Sequence, residues 1–143
     1  FCQERSFLEL CTMELQREGY TYTVDTLRAF ERMRKPDEKI YYIIGTDTLF
    51  LLETWKEHEV VLSGRLCAFL CVPRPGDAPA QVLQKQQELQ EKYGVEILIS
   101  SGQGPDISST KVREAFLAGE DVSGMVPGSI LRFMEENHVF QGA

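Results

Sequence analysis

Three short apolar, β-forming runs separated by helix-forming stretches limit this chain more than any other feature of its sequence. The runs are Ile40–Ile44, Leu66–Val72 and Val95–Ile99. Each is stopped by turn chemistry: Gly45-Thr46-Asp47 after the first, Pro73-Arg74-Pro75-Gly76 after the second, and Ser100 to Asp106 after the third. Helical stretches fill the gaps: Thr48 to Trp55 and Glu57 to Leu62, then Pro79 to Tyr93, stopped by Gly94. Strands that alternate with helices return in the same direction, so the pattern predicts a parallel sheet with crossover helices, a Rossmann-like α/β domain. Ile40–Ile44 is apolar without clean alternation, as a central strand covered on both faces would be.

The flanks extend this plan. Phe7 to Met13 alternates in the manner of a strand, and a helix is expected from about Val24 to about Arg34, ended by Pro36-Asp37. Pro127 is expected to open a last helix through about Asn137, with Ile130, Leu131, Phe133 and Met134 on its buried side. A chain of 143 residues suits one domain, residues 1–143, and no repeat, low-complexity tract or linker divides it.

Charge narrows the partners. With 22 acidic against 15 basic residues the net charge is -7, and no Lys/Arg cluster offsets it. A nucleic-acid polymer or an anionic membrane is therefore not expected, whereas a small nucleotide needs only a local positive site. No apolar run approaches a bilayer span, and no secretory signal is visible. Cys67 and Cys71 lie on one strand face too far apart to bridge, and Cys2 and Cys11 form no redox or zinc spacing. Buried reduced thiols point to the cytoplasm. His58 and His138 are the sole histidines, too few for a histidine-built metal site.

Ile107-Ser108-Ser109-Thr110-Lys111-Val112-Arg113 is the sharpest candidate for chemistry. It follows a turn-forming run and enters helical spacing, in which Val112, Ala115 and Phe116 share a face. The first amides of a helix lack partners and its macrodipole makes that end electropositive. Hydroxyls, free amides and a guanidinium four residues beyond Ser109 describe a phosphate cradle. An ordinary Ser/Thr cap beside a solvated arginine accounts for the same residues. Gly45 permits close backbone approach, and Asp47 sits where open α/β sheets place their crevice. Asp47 serves equally as a helix cap, Thr23 as the cap of the helix from Val24, and Trp55 as a core aromatic. Strand ends of a parallel sheet share one rim, so Tyr20–Thr26, Gly45–Trp55 and Ile107–Arg113 are expected to line one cleft.

Five segments stand out together: Tyr22-Thr23-Val24-Asp25-Thr26-Leu27, Ile43-Ile44-Gly45-Thr46-Asp47 with Trp55 eight beyond, Arg74-Pro75-Gly76, Ile107-Ser108-Ser109-Thr110 with Arg113, and Val126-Pro127 with the final helix to Val139-Phe140. Together they resemble the bacterial nicotinate-nucleotide adenylyltransferases of NAD biosynthesis. The resemblance implies that ATP, carrying Mg2+ on its phosphates, is bound by Gly45, Asp47, Ile107, Ser108, Ser109, Thr110 and Arg113. Arg113 and Thr110 would act on the transferred phosphoryl group. Trp55 would stack on the pyridine ring, with Tyr22, Thr23 and the backbone around Lys56 near the nicotinate carboxylate. The family's Gly-x-Phe-Asp-Pro-x-His-x-Gly-His segment has no counterpart here. In the family's strand order the strands that go with it lie between Phe7–Met13 and Ile40–Ile44, so an apolar strand edge is expected to lie bare. The sequence then reads as part of a longer enzyme, as a chain completed by strand exchange with another copy, or as a module that binds nucleotides without catalysis. A different acceptor, such as phosphopantetheine, is a further alternative.

Overall fold

The computed structural model describes Cys2, residues 5–102 and residues 104–140, so Gln103 in the turn-forming run lies outside the described residues. The chain forms two compact units. The larger spans Thr12–Pro105, and the smaller comprises the residues up to Cys11 together with those from Asp106 onward.

The larger unit is α/β. Helix α1 (Thr23–Met33) leads to strand β1 (Tyr41–Gly45), helix α2 (Thr46–Leu51), a 3-10 turn (Leu52–Thr54) and helix α3 (His58–Val61). Strand β2 (Ala68–Val72), helix α4 (Pro79–Tyr93) and strand β3 (Ile97–Ile99) complete it. The three strands pair in parallel in the order β1-β2-β3, giving the Rossmann-like sheet that the alternating pattern implies. The boundaries follow local chemistry. Pro79 at the start of α4 forfeits only an amide that would be unpaired there, and Gly94 ends the helix at φ +74°.

Register decides which face is buried. Tyr42, Phe69 and Ile97 align across the strands, as do Ile44, Cys71 and Ile99. This face shares one core cluster with Leu49 and Leu52 and with Val82 and Leu89 of α4. Phe69 has no exposed surface, and its burial contributes about 1.5–3 kcal/mol. Burial also pushes the Cys67 thiol up to about 12, so it behaves as a small apolar side chain.

Two expectations about strands need correction. β1 is not a central strand covered on both faces. Among the described residues it is an edge strand, and the face carrying Tyr41 and Ile43 is open, with the two residues 43% and 67% exposed and Leu98 on the same face 44% exposed. The edge strand of the sheet is thus β1, and not Phe7 to Met13, the first strand expected from the sequence. Phe7 to Met13 forms no strand at all. Its residues lie in turns and irregular backbone, with Phe7 and Leu10 largely exposed. Alternation specifies a face, but a strand also needs a neighbour for its amides and carbonyls, and among the described residues none pairs with this segment.

The smaller unit contains helices α5 (Ser109–Leu117) and α6 (Gly128–Glu136). Ala115, Val122 and Met134 are its buried apolar side chains. The buried side assigned to the last helix is thus too wide. Met134 is buried and Leu131 partly so, one turn apart, whereas Ile130 and Phe133 sit on the adjoining stripe and are exposed. Similarly, Ala115 is buried on α5 while Val112 and Phe116 are partly so.

Candidate functional site

The C-terminal rim of the sheet is built from the ends of β1 and β2, where Gly45 aligns with Val72. Helix α2 begins immediately after Gly45, so the strand-to-helix turn has no spare residue. Thr46 is buried, and its hydroxyl donates a 2.5 Å hydrogen bond to Asp77 Oδ2. The Arg74 amide donates to the same oxygen at 2.6 Å. The Thr46 hydroxyl first, and then the Arg74 amide, hold the Asp77 carboxyl below the usual carboxylate range. Arg74 Nη1 donates to Asp47 Oδ2 at 2.8 Å. Asp47 caps nothing, since Gly45 occupies the cap position of α2 without a side-chain bond. Beside this rim, a largely apolar hollow of about 230 Å³ lies between the start of α4 and the end of β3, bordered by Pro73, Asp77, Leu83 and Ser100.

A second group surrounds the start of α1. Tyr22 is its cap residue and makes no side-chain cap bond, and Thr23 is the first helical residue, so Thr23 is not the cap. Lys56 Nζ lies 4.0 Å from the centroid of the Tyr22 ring, a cation–π contact. The turn carrying Lys56 is held by the next residue: Glu57, at φ 52°, receives two hydrogen bonds from Arg28 of α1, at 2.6 and 3.2 Å. Trp55 is half-buried and meets Tyr42 edge-on at 6.0 Å and Phe69 at 6.5 Å. The indole therefore has a core role, while part of it still reaches solvent. The fold brings Tyr22 and Lys56 together and sets Trp55 next in the chain to Lys56.

Ile107 to Arg113 lies in the smaller unit and forms the predicted helix start. Ser108 is the cap of α5, and its Oγ accepts from the Lys111 amide at 3.1 Å. The capping reading therefore holds for Ser108, while Ser109 and Thr110 are exposed in the first turn. Lys111 Nζ pairs with Asp106 at 2.8 Å. Arg113 is exposed, yet not merely solvated, because its guanidinium carbon lies 5.5 Å from the Phe140 ring centroid. Thr46 and Asp77 were not among the expected site residues, and Arg74 was expected only as part of a motif without a role. Thr46 and Asp77 lie 31 residues apart, and nothing in the linear sequence pairs them.

No protein-family model matches the chain. Curated relatives do. A probable nicotinate-nucleotide adenylyltransferase of Thermoanaerobacter sp. (strain X514) is 30% identical over 135 residues, 94% of this chain and 63% of that protein. One from Desulfitobacterium hafniense (strain DSM 10664 / DCB-2) is 31% identical over 97% of this chain and 66% of its own length. A third, from Clostridium botulinum (strain Eklund 17B / Type B), is 29% identical over 97% and 67%. The chain belongs to the nicotinate-nucleotide adenylyltransferase family. It spans roughly two thirds of the length of these adenylyltransferases, and matches them along nearly all of its own. Among the described residues no helix is long and apolar enough to cross a membrane.

Proposed function

We propose that this chain carries nucleotide-binding parts of a nicotinate-nucleotide adenylyltransferase, which transfers AMP from ATP to nicotinate mononucleotide and releases deamido-NAD and pyrophosphate. The observation that carries the proposal is the match to relatives so named along 94–97% of the chain. The placement of Gly45 and Asp47 at the C-terminal rim of a parallel sheet supports it, because such rims are where open α/β sheets bind ligands.

In the reaction a phosphate oxygen of the mononucleotide attacks the α-phosphorus of ATP. The bond from that phosphorus to the bridging oxygen breaks, and pyrophosphate leaves with the electron pair. Little covalent help is needed from the protein, so alignment and charge neutralisation supply most of the acceleration. The free amides at the start of α5, Ile107 to Thr110, would cradle phosphate oxygens, and Arg113 would neutralise charge as it develops. Gly45 and Asp47 would contact the nucleotide. The open part of Trp55 would stack on the pyridine ring, with Tyr22, Thr23 and Lys56 beside its carboxylate. Magnesium enters as part of the ATP substrate, shielding the leaving phosphates. On this reading the protein would work in the cytoplasm, as part of a nucleotidyltransferase-type domain.

The alternative is nucleotide binding without transfer. Incubating the chain with ATP, nicotinate mononucleotide and magnesium, and separating the products chromatographically, distinguishes the two. Deamido-NAD formed with one pyrophosphate released supports the transferase. Saturable ATP binding with no product supports the second reading, and neither binding nor product rejects both. Substituting phosphopantetheine for the mononucleotide tests the acceptor.

A further inference from the structure

We propose that the Arg74 guanidinium is an oxyanion-binding fork for a phosphate group of the bound nucleotide, oriented by Asp47 and held at its working distance by Asp77. The proposal rests on the nucleotide-binding reading above.

The backbone at Arg74 is restrained from every side. Pro73 and Pro75 flank it, and their rings fix the local φ. Its amide is bound by Asp77 at 2.6 Å, and the preceding carbonyl, on Pro73, accepts from the Gly104 amide at 2.9 Å. Asp77 is itself aimed by the buried Thr46 hydroxyl, which ties the end of β1 to the turn after β2. Yet the side chain so carefully carried ends in an exposed pair. The Arg74 and Asp47 side chains are 50% and 69% exposed, and ion pairs of that kind contribute little to stability. A rigid base beneath a head that stabilises almost nothing is what a ligand-binding arm requires.

The geometry of the head supplies the ligand class. Asp47 engages Nη1. The Nε and Nη2 atoms lie nearest to Gly45, 3.8 and 3.6 Å from where a Cβ on that residue would stand. Because Gly45 has no side chain, that edge of the guanidinium stays uncovered. Two parallel N–H groups on one edge match two oxygens of a phosphate, a match that a lysine ammonium does not reproduce. The net charge of -7 gives anions no general attraction, so a phosphate has to be held by a local fork of this kind. Asp77 acts through Arg74 and is a positioning residue.

The test titrates the full chain with inorganic pyrophosphate, following the Arg74 Nε–H resonance and the heat of binding. The Arg74 signal is expected to shift and saturate. Arg74→Lys, which keeps the charge and loses the fork, should weaken binding about tenfold or more. Gly45 has φ -88°, which alanine adopts freely, so Gly45→Ala should fold and weaken binding by covering the Nε–Nη2 edge. Thr46→Val should weaken binding by releasing Asp77, and Thr46→Ser should restore it, a rescue that simple loss of packing would not show. An Arg74 resonance indifferent to pyrophosphate, unchanged affinity in Arg74→Lys, or Thr46→Ser behaving like Thr46→Val would each overturn the proposal. The two readings fail separately. Pyrophosphate binding at Arg74 without adenylyl transfer sinks the transferase alone, whereas undiminished transfer by Arg74→Lys sinks the fork alone.

Discussion

Arg113→Ala should separate catalysis from folding. The guanidinium lies 5.5 Å from the Phe140 ring on an exposed helix face, and an exposed cation–π contact contributes about 0.5–1 kcal/mol. Alanine recovers a few tenths of a kcal/mol through its higher helix propensity. The net destabilisation is therefore below about 1 kcal/mol, a fall in Tm of a few degrees for a chain of this size. A protein with ordinary stability of at least about 5 kcal/mol stays overwhelmingly folded after such a loss. Catalytically, removing one preorganised charge from a developing phosphoryl transition state costs about 10²–10³ in turnover. The assay pairs deamido-NAD formation with a thermal melt on the same sample. A hundredfold loss of turnover with a melt displaced by a few degrees is the expected result. Turnover within threefold of the parent, or a collapse of the melt in step with activity, would show that Arg113 serves α5 and Phe140 rather than phosphate.

Trp55 allows a similar separation. Trp55→Ala removes the indole from the Tyr42–Phe69 group and should cost about 2–4 kcal/mol in a urea melt, whereas Trp55→Phe should keep most of that stability and still weaken nicotinate mononucleotide binding. Equal affinity in Trp55→Phe and the parent would confine the residue to the core. Glu53 gives a pH prediction. Lys85 at 2.6 Å, then Lys92 at 2.8 Å and the Tyr93 hydroxyl at 2.9 Å, hold its carboxyl down to about 2, from an ordinary value of 4.5. The depressed value means that the folded state binds its proton less readily than the unfolded state. The stabilisation is present above pH 4.5 and is lost as pH falls toward 2. Glu53→Gln should cost about 1 kcal/mol at neutral pH after screening at a part-exposed site, and should flatten the acid limb of the stability profile. An acid limb identical to the parent's would remove Glu53 from that role.

Local chemistry was legible in the sequence wherever both the period and the punctuation were present. Pro79 and Gly94 bracket α4 because one tolerates a missing amide and the other a positive φ, and both are visible in a linear text. The three strands were legible from their β-forming runs, and Ser108 from its hydroxyl at a helix start. What a sequence does not contain is the partner. Phe7 to Met13 has the alternation of a strand and, among the described residues, no strand to pair with, while Ile43 has the apolarity of a covered position and lies on an open face of the sheet. The joining of Thr46, Asp77, Arg74 and Asp47 was invisible for the same reason, since it exists only after β1 and β2 lie side by side. Trp55 was ambiguous in sequence and is half-buried in the fold, packed against Tyr42 and Phe69.

Gly45 and Asp47 at the end of β1, and separately the first residues of α5, are each proposed to contact ATP. Amide-resolved NMR of the chain titrated with ATP and magnesium tests this most directly. Saturable shifts are expected at Gly45, Thr46 and Asp47, and at Ser108, Ser109 and Thr110 together with the Arg113 side chain. Shifts confined to other surfaces, such as the Glu53–Lys85–Lys92 group, with these six amides unmoved, would contradict it.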